Sequence, residues 1–389
     1  MNILVYDHKI LGHHSEYLNH IVEYLKDLNS YEDTYYFVVN ENFKKVCSGI
    51  YNEVKNHKNI HFIEVEIEEP EKLIVSNRFL RSFNNFKIVD KYAKKLKIDI
   101  CYLMHMNVFQ IAIGLRKTSY KIRGILFMQF TNMTINSFKS LYFYLRRYFP
   151  LLLCMRNKRL DSVFLLNDHK SVYELNRQFK KNNVFKYLAD PIPNLEVDTS
   201  CDLRKGYMLR ENTKVFLHFG GLSDRKGVLE IVGAADYVTK DIQENIVLLI
   251  AGRAQCPKFR STLEAMVERA NVKTNVHVIW DNEYISNGKM AGLFELCDYV
   301  LIPYKNSEGS SGILGHAINA NTPVIGPSIG LLGELIRKYE MGHCLREISS
   351  IEIAEVINNY ESIVCNENSF KEFLNDHRPN KFVKQLLCH

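Results

Sequence analysis

Short apolar runs alternate with longer amphipathic segments along this chain, and this alternation constrains the fold more than any other feature. In the first half each run has four to six residues and is rich in β-branched or aromatic side chains. Continuous apolar strands of this kind are buried on both faces, which predicts a parallel sheet covered by helices. The predicted strands of the first half are 3–6, 35–39, 60–65, 100–104, 124–129 and 163–166.

The rhythm is interrupted from about Pro191 to Thr213, where prolines and mixed charges predict an interdomain linker. A second α/β series follows it, so the chain is expected to form two doubly wound domains with ligands bound between them at the carboxyl ends of strands. The tail, from Phe370 to Leu387, is expected to be helical with an interruption at Pro379. The predicted strands of the second series are 215–219, 246–252, 276–280, 299–303 and 323–326, and helices are expected to begin near 228, 258, 289 and 312.

Composition narrows the classes of function. The chain has 389 residues, of which 46% are hydrophobic and 24% charged, and this excludes a disordered or low-complexity protein. Lys and Arg number 50 against 44 Asp and Glu, so the formal net charge is only +6. That excess is small for a nucleic-acid-binding protein, so a nucleic acid is not expected as a partner. It fits phosphate-bearing ligands, an anionic membrane surface or a plain solvated surface equally well.

The nine cysteines are odd in number and form no CxxC pair. Several lie in apolar runs, which is typical of buried free thiols rather than of a disulfide framework or a zinc site. No signal segment and no spanning helix are expected, so the predicted location is the cytoplasm, with the inner face of the cell membrane as a further possibility. No metal and no cofactor is expected, and the sequence does not indicate an oligomeric state.

The segment HFGGLSDRKG, residues 218–227, directly follows a predicted strand. Gly220 and Gly221 allow a tight turn, and Arg225 and Lys226 stand at the start of a helix. Glycines, two cations and a helix N-terminus together suit a phosphate group. A plain strand–turn–helix connection with solvated charges is an equally open interpretation.

A second segment, residues 306–326, also lies between a strand and a helix. Glu308 precedes a flexible stretch that includes Ser310 and Ser311, and the first N–H groups of the following helix, at Gly312 and Ile313, can bind an anion. His316 follows Glu308 by eight residues, and Asn321 fits a left-handed helix stop. The alternative is that a serine only caps the helix and that His316 packs within it.

Three histidines of the first half follow predicted strands. His13 and His14 come after Gly12, and His105 ends the run LMH. Because sites in α/β folds lie at the carboxyl ends of strands, these side chains are candidates for binding phosphate or acceptor hydroxyls. Capping of a helix together with Ser15 is the structural alternative.

The segment 138–159 mixes aromatic side chains, leucines and cations. Such a segment could bind the chain to an anionic membrane that carries a lipid-linked acceptor. An aromatic-rich helix is also commonly part of a core, and Pro150 divides the run.

The two motifs of the second half, in this order, resemble those of the retaining glycosyltransferases of family four, which have the two-domain GT-B fold. The resemblance extends over about Val215 to Leu345 and is weaker in the first half. It implies an N-terminal acceptor-side domain at 1–195 and a donor-binding domain at 196–365. It also implies that the C-terminal helix, 366–389, packs back on the first domain.

The resemblance implies roles for the candidate residues. Arg225 and Lys226 would neutralise the diphosphate of a nucleotide-sugar donor, and the main chain of 311–313 would hold the same group. Glu308 would contact the sugar hydroxyls, Tyr284 would lie along the nucleobase, and the loop at 12–14 would face the acceptor. The remaining candidates stand at departures from the family pattern: His316 replaces a second glutamate, Gly221 replaces an arginine, and Gln129 replaces a histidine.

The implied activity is transfer of a sugar, with retention, from a nucleotide-diphosphate donor to a glycan or lipid-linked acceptor, in surface polysaccharide assembly. The chain has no DxD motif between strand and loop, which agrees with metal independence. Two alternatives remain: a degenerate partner subunit that binds a sugar nucleotide or glycan without turnover, and a sugar-nucleotide epimerase of the same fold. The first strand leads into LGHHSEY rather than GxGxxG, which argues against a nicotinamide dehydrogenase.

Overall fold

The computed structural model describes residues 1–10, 12–28, 32–65, 75–200, 202–306, 309 and 311–387. The chain divides into two compact domains. The N-terminal domain consists of Met1–Pro191 and Pro379–His389, and the C-terminal domain of Ile192–Arg378. Each domain contains one parallel sheet with helices packed against it.

The N-terminal sheet has seven strands in the described residues, in the order β3-β2-β1-β4-β5-β6-β7. All neighbouring strands pair in parallel. This order, with the first strand in the middle, is that of a doubly wound sheet. The strands are β1 (Asn2–Asp7), β2 (Thr34–Val39), β3 (Ile60–Glu64), β4 (Ile100–Leu103), β5 (Lys121–Ile125), β6 (Leu160–Leu166) and β7 (Phe185–Leu188).

The helices of this domain cover both faces of the sheet. In the first helix Tyr17, Leu18, Ile21, Val22 and Leu25 recur at helical spacing, and all five are buried in the core against the strands. The helices are α1 (His13–Lys26), α2 (Phe43–Val46), α3 (Ser48–Val54), α4 (Arg78–Lys95), α5 (Gln110–Leu115), α6 (Phe138–Cys154) and α7 (His169–Gln178).

Helix α6 continues through Pro150, which the sequence suggested would divide it. Proline has no N–H, so the carbonyl four residues earlier loses its helical donor. That carbonyl belongs to Arg146, and it accepts a hydrogen bond from Arg78 Nη1 at 2.8 Å. The guanidinium of α4 thus satisfies the group that Pro150 leaves unpaired.

The C-terminal sheet has six strands in the described residues, in the order β10-β9-β8-β11-β12-β13, again all parallel. Its strands are β8 (Lys214–Phe219), β9 (Ile246–Ala251), β10 (His277–Asp281), β11 (Tyr299–Leu301), β12 (Val324–Pro327) and β13 (Gly342–Leu345). Its helices are α8 (Leu203–Gly206), α9 (Val228–Ala234), α10 (Pro257–Lys273), α11 (Asn287–Leu296), α12 (Gly312–Asn319), α13 (Gly330–Lys338), α14 (Ser350–Asn358) and α15 (Glu367–Asp376).

The bounds of the predicted strands lie within three residues of the structure's, apart from the end of β5, and two further strands were not predicted. Strand β5 ends at Ile125, short of the predicted end at 129, because Asn107 Oδ1 accepts the N–H groups of Phe127 and Met128 and takes the chain out of the sheet. Strands β7 and β13 were not predicted. Both lie at the edge of their sheets, where a strand is only partly covered and carries a weaker apolar signal.

The chain returns to the N-terminal domain later than the expected residue 366. Helix α15 packs into the C-terminal core through Phe370 and Phe373. The return begins at Pro379 with helix α16 (Pro379–Leu387), in which Phe382 packs against Tyr17 at a ring distance of 4.9 Å. The first domain break also falls at Pro191 rather than at 195.

Candidate functional site

The first predicted phosphate loop joins β8 to α9 within the C-terminal domain. Gly220 has φ +115° and Gly227 has φ +70°, conformations that favour glycine. A Cβ added at Gly220 would lie 2.8 Å from Lys226 Nζ, so the ammonium group is folded directly over this glycine. A Cβ at Gly227 would overlap the carbonyl oxygen of Pro303, which follows β11.

Tyr304 is the residue that the sequence reasoning missed at this loop. Its ring lies 5.3 Å from Lys226 Nζ, and its hydroxyl is 3.4 Å from Ser311 Oγ. Burial, followed by the charge of Arg225, lowers the pKa of Lys226 to about 8. The signal that could have found Tyr304 is its place directly after a predicted strand, at the edge where α/β sites form.

The start of α12 completes this arrangement. Ile313 Cδ1 lies 4.0 Å from the position of a Gly220 Cβ, which brings the second predicted loop against the first. Within the part of the chain that the structure describes, no group accepts a hydrogen bond from the main-chain N–H of Gly312 or Ile313. A cation, free N–H groups and a helix N-terminus together can hold an anion.

The structure thus brings five of the predicted donor-side residues together: Gly220, Lys226, Ser311, Gly312 and Ile313. Arg225 is exposed beside them, and its carbonyl accepts the N–H of Lys305 at 3.0 Å. Gly221 is exposed, with no atom within 4 Å of an added Cβ. Glu308 and Ser310 lie outside the described residues.

Two further predicted residues stand apart from this group. Tyr284 follows β10 and is 76% exposed, which leaves its ring face open to a partner. His316 is half-buried on α12, where its ring lies 5.7 Å from that of Phe294. Burial lowers the pKa of His316 to about 4, so its imidazole is neutral near pH 7. Their contacts with a donor remain predictions.

The N-terminal glycine loop holds a buried contact between a histidine and an aspartate. Gly12, with φ +64° and no atom within 4 Å of an added Cβ, precedes α1. His14 is buried, and its Nδ1 lies 2.7 Å from Oδ2 of the buried Asp7 at the end of β1. This carboxylate fixes the imidazole in one orientation, as a carboxylate partner generally does for a functional histidine.

The other predicted histidines lie beside this pair. The ring of His13 is 4.3 Å from that of His14, and the ring of His105 is 5.8 Å from it. Phe127 lies within 5.4 Å of both His13 and His105. Burial, with the charges of Lys9 and His14, lowers the pKa of His105 to about 3. The structure therefore brings the three predicted histidines together at the carboxyl edge of the N-terminal sheet.

The side-chain amide of Gln129, a predicted ligand-binding residue, is hydrogen-bonded within the protein. Its Nε2 donates to Asp168 Oδ2 at 3.1 Å and to Ser171 Oγ at 3.0 Å, and its Oε1 accepts from Thr131. A substrate would have to displace these bonds, so the buried amide is suited to holding the loop after β5.

Among the described residues no group of three or more His, Cys, Asp or Glu side chains is placed to hold a metal ion. Within the same residues no helix is both long and apolar enough to cross a bilayer. The described cysteines are free, and Cys101, Cys154 and Cys297 are buried.

Fold and geometry together define a class: two Rossmann-like domains, the second with a lysine folded over a loop glycine beside the start of a helix. Residues 202–372 match the family model described as glycosyl transferases group 1. This match to residues 202–372 confirms the expected resemblance of the C-terminal domain to the group 1 glycosyltransferases, and the assignment to family four stays a prediction. A comparison with curated protein sequences returned no match.

Solved structures support the fold of the whole chain. WaaG, a glycosyltransferase involved in lipopolysaccharide biosynthesis, has a TM-score of 0.64 at 14% identity, with 100% of both chains covered. HepE from Anabaena, in complex with UDP and glucose, has a TM-score of 0.60 at 15% identity, with 99% and 95% covered. Sucrose-phosphate synthase from Thermosynechococcus elongatus has a TM-score of 0.64 at 14% identity, with 99% and 94% covered. The predicted GT-B fold class is confirmed.

The desolvated lysine predicts an effect on stability. Its folded pKa of about 8 lies below the ordinary 10.5, so the charged form destabilises the folded state below pH 8. We expect Lys226→Met to raise the free energy of unfolding near pH 7 by about 1–3 kcal/mol. The difference should shrink as pH rises from 8 to 10.5, because the folded wild type loses its proton first. Urea unfolding of both proteins across this range measures it, and a difference that stays constant with pH would contradict the prediction.

Proposed function

We propose that the chain transfers a sugar, with retention, from a nucleotide-diphosphate donor to a glycan or lipid-linked acceptor in surface polysaccharide assembly. The observation that carries this proposal is the contact of the Lys226 ammonium with Gly220, beside the unpaired N–H groups of Gly312 and Ile313. In this proposal the C-terminal domain binds the donor diphosphate, and the N-terminal domain receives the acceptor. The group 1 family match supports nucleotide-sugar transfer as the reaction class.

The chemistry follows from the charge on the leaving group. The bond between the anomeric carbon and the phosphate oxygen breaks, and negative charge grows on the nucleoside diphosphate. Lys226, Arg225 and the start of α12 would bind that charge more strongly in the transition state than in the ground state, which lowers the barrier. The acceptor hydroxyl would attack from the same face and pass its proton to a phosphate oxygen. This scheme asks for no enzymic nucleophile and no metal.

Helix α6 supports a membrane-bound acceptor. Phe138, Tyr142, Leu145, Phe149 and Leu152 recur at spacings of four and three residues, which places them on one face of the helix. All five are exposed, Phe138 to 93% and Tyr142 to 60%. A stripe of exposed aromatic and aliphatic side chains marks an interaction surface. We propose that this stripe lies on a membrane surface with cations of the same helix near the headgroups.

The test of the activity begins with donor identification. A thermal-shift screen of nucleotide sugars finds the donor, because a ligand stabilises the folded state that binds it. Glu308→Gln should then lower turnover of that donor by about 10²–10³-fold, the effect of removing one polar group that acts in a transition state. Glu268→Gln is the matched control, since Glu268 is exposed on α10 and in no described ion pair.

Three outcomes separate the hypotheses. Loss of donor turnover in Glu308→Gln, together with unchanged turnover in Glu268→Gln, supports transfer. A wild-type protein that binds the donor without turning it over is a binding partner instead. Conversion of the donor sugar without any acceptor would identify an epimerase.

A further inference from the structure

A cationic cavity of about 520 Å³ lies within the N-terminal domain, at the carboxyl edge of its sheet. Helices α4 and α6 supply four arginines to its wall, at positions 78, 81, 146 and 147. The loop after β1 adds Lys9, and the loop after β4 adds His105. Among the described residues that line the cavity there is no carboxylate.

Four of the cations that line this cavity have no carboxylate partner among the described residues. None of the described carboxylates forms an ion pair with Lys9, Arg78, Arg81 or Arg146. Burial, followed by the charges of Arg146, Arg81 and Arg147, lowers the pKa of Arg78. Like charges gathered in a partly buried site repel one another, and a bound anion would remove that repulsion.

The arginines of the cavity are positioned by contacts between and within helices α4 and α6. The hydrogen bond from Arg78 to the Arg146 carbonyl, the group left unpaired by Pro150, joins the two arginine-bearing helices. Arg81 and Asn85 follow Arg78 on the same face of α4, and Phe143 and Pro150 flank Arg146 and Arg147 on α6. Guanidinium groups bind phosphate oxygens in pairs, and a planar fork held by its helix is already oriented for this.

His105 joins the cavity to the predicted acceptor loop. It lines the cavity, and its ring lies 5.8 Å from that of His14. Its Nδ1 is buried and makes no hydrogen bond to any described group. A ligand in the cavity would therefore lie next to the loop at 12–14. The cavity also adjoins the exposed stripe of α6, because Phe143, Arg146 and Pro150 of that helix form part of its wall.

We infer that this cavity binds a phosphate or diphosphate group of the acceptor. The inference rests on the proposed transferase function and gives the acceptor a chemical class, a phosphate ester. Two sources share that chemistry: a lipid-linked acceptor whose chain lies along the α6 stripe, and a soluble sugar phosphate. Arg81 and Arg146 would hold the oxygens, and Lys9 would add a point charge.

The experiment titrates inorganic pyrophosphate into the full chain by calorimetry. A Lys226→Ala background weakens the proposed donor site of the other domain, which could bind the same probe. Arg81→Gln with Arg146→Gln should weaken the binding by about tenfold or more, the expected loss for two charge-assisted contacts. Lys87→Gln with Lys139→Gln is the matched control, with one exposed lysine on each of the same helices and the same change in net charge. The control should stay within about twofold.

A lysine pair, Arg81→Lys with Arg146→Lys, guards against a folding defect, because it retains the charge and should retain most of the affinity. Equal weakening in the glutamine pair and in its control, or no saturable binding in the Lys226→Ala background, would overturn the inference. Pyrophosphate binding does not depend on turnover. The cavity inference can therefore be wrong while the Glu308 experiment still supports the transferase proposal, and the reverse.

Vesicles separate the two sources. If the acceptor is a lipid, the Lys226→Ala protein should bind phosphatidylglycerol vesicles but not phosphatidylcholine vesicles. Pyrophosphate should compete with the phosphatidylglycerol vesicles. With a soluble sugar phosphate, pyrophosphate binds at the cavity and neither vesicle competes for it. Both results support a phosphate site in the cavity. The site would be contradicted if the protein bound vesicles and neither added pyrophosphate nor the Arg81→Gln with Arg146→Gln substitution changed that binding.

Discussion

Replacing Lys226 with alanine should weaken binding of the cognate nucleoside diphosphate by about 10- to 150-fold, the equivalent of losing one hydrogen bond to a charged group. The ammonium lies over Gly220 and beside the start of α12, so its removal takes one cation from the proposed diphosphate site. Binding of the corresponding nucleoside, which lacks phosphates, should change by less than about twofold. Calorimetry with both ligands measures the two changes.

The control for this substitution is Lys240→Ala. Lys240 is exposed, belongs to the same domain and takes part in no described ion pair. It removes the same charge from the domain, so it tests whether net charge alone explains the effect. A nucleoside that loses as much affinity as the diphosphate would show that Lys226 supports the site by packing rather than by charge.

The sequence predicts the architecture well because parallel strands buried on both faces have an unmistakable composition. Strand β1 and strand β9 are apolar almost throughout, and both were predicted within a residue or two of their bounds. The start of α12 was predicted at Gly312, and the stop at Asn321 has the expected left-handed φ of 56°. These features are local, so neighbouring residues are enough to specify them.

Contacts made by the topology could not be predicted in the same way. The hydrogen bond between Asp7 and His14 depends on how α1 returns to the end of β1. Tyr304 reaches Lys226 because β11 lies beside β8 in the sheet, although 78 residues separate the two side chains in the sequence (304 − 226). The cationic cavity combines Lys9 with arginines of α4 and α6, and no sequence spacing encodes that meeting.

The glycines at the donor loop show how the fold and the site depend on each other. Gly227 separates Lys226 from the first residue of α9, and its backbone packs against the main chain after β11. This close packing of Gly227 against Pro303 brings α9 onto the sheet and places Lys226 over Gly220. Any side chain at 227 would have to push these two segments apart.

Gly227→Ala should therefore lower the free energy of unfolding by roughly 2–5 kcal/mol, which combines the cost of a left-handed alanine with that of overpacking. Gly221→Ala is the matched control. It lies in the same loop but has open space around an added Cβ and no left-handed φ, so its effect should stay within about 0.5 kcal/mol. Urea unfolding compares the two variants with the wild type. Diphosphate affinity in the folded fraction of Gly227→Ala should also fall, because a displaced Pro303 carbonyl moves α9 and Lys226 with it. If both alanine variants were equally stable, the close packing of Gly227 on the strand end would not be needed by the fold.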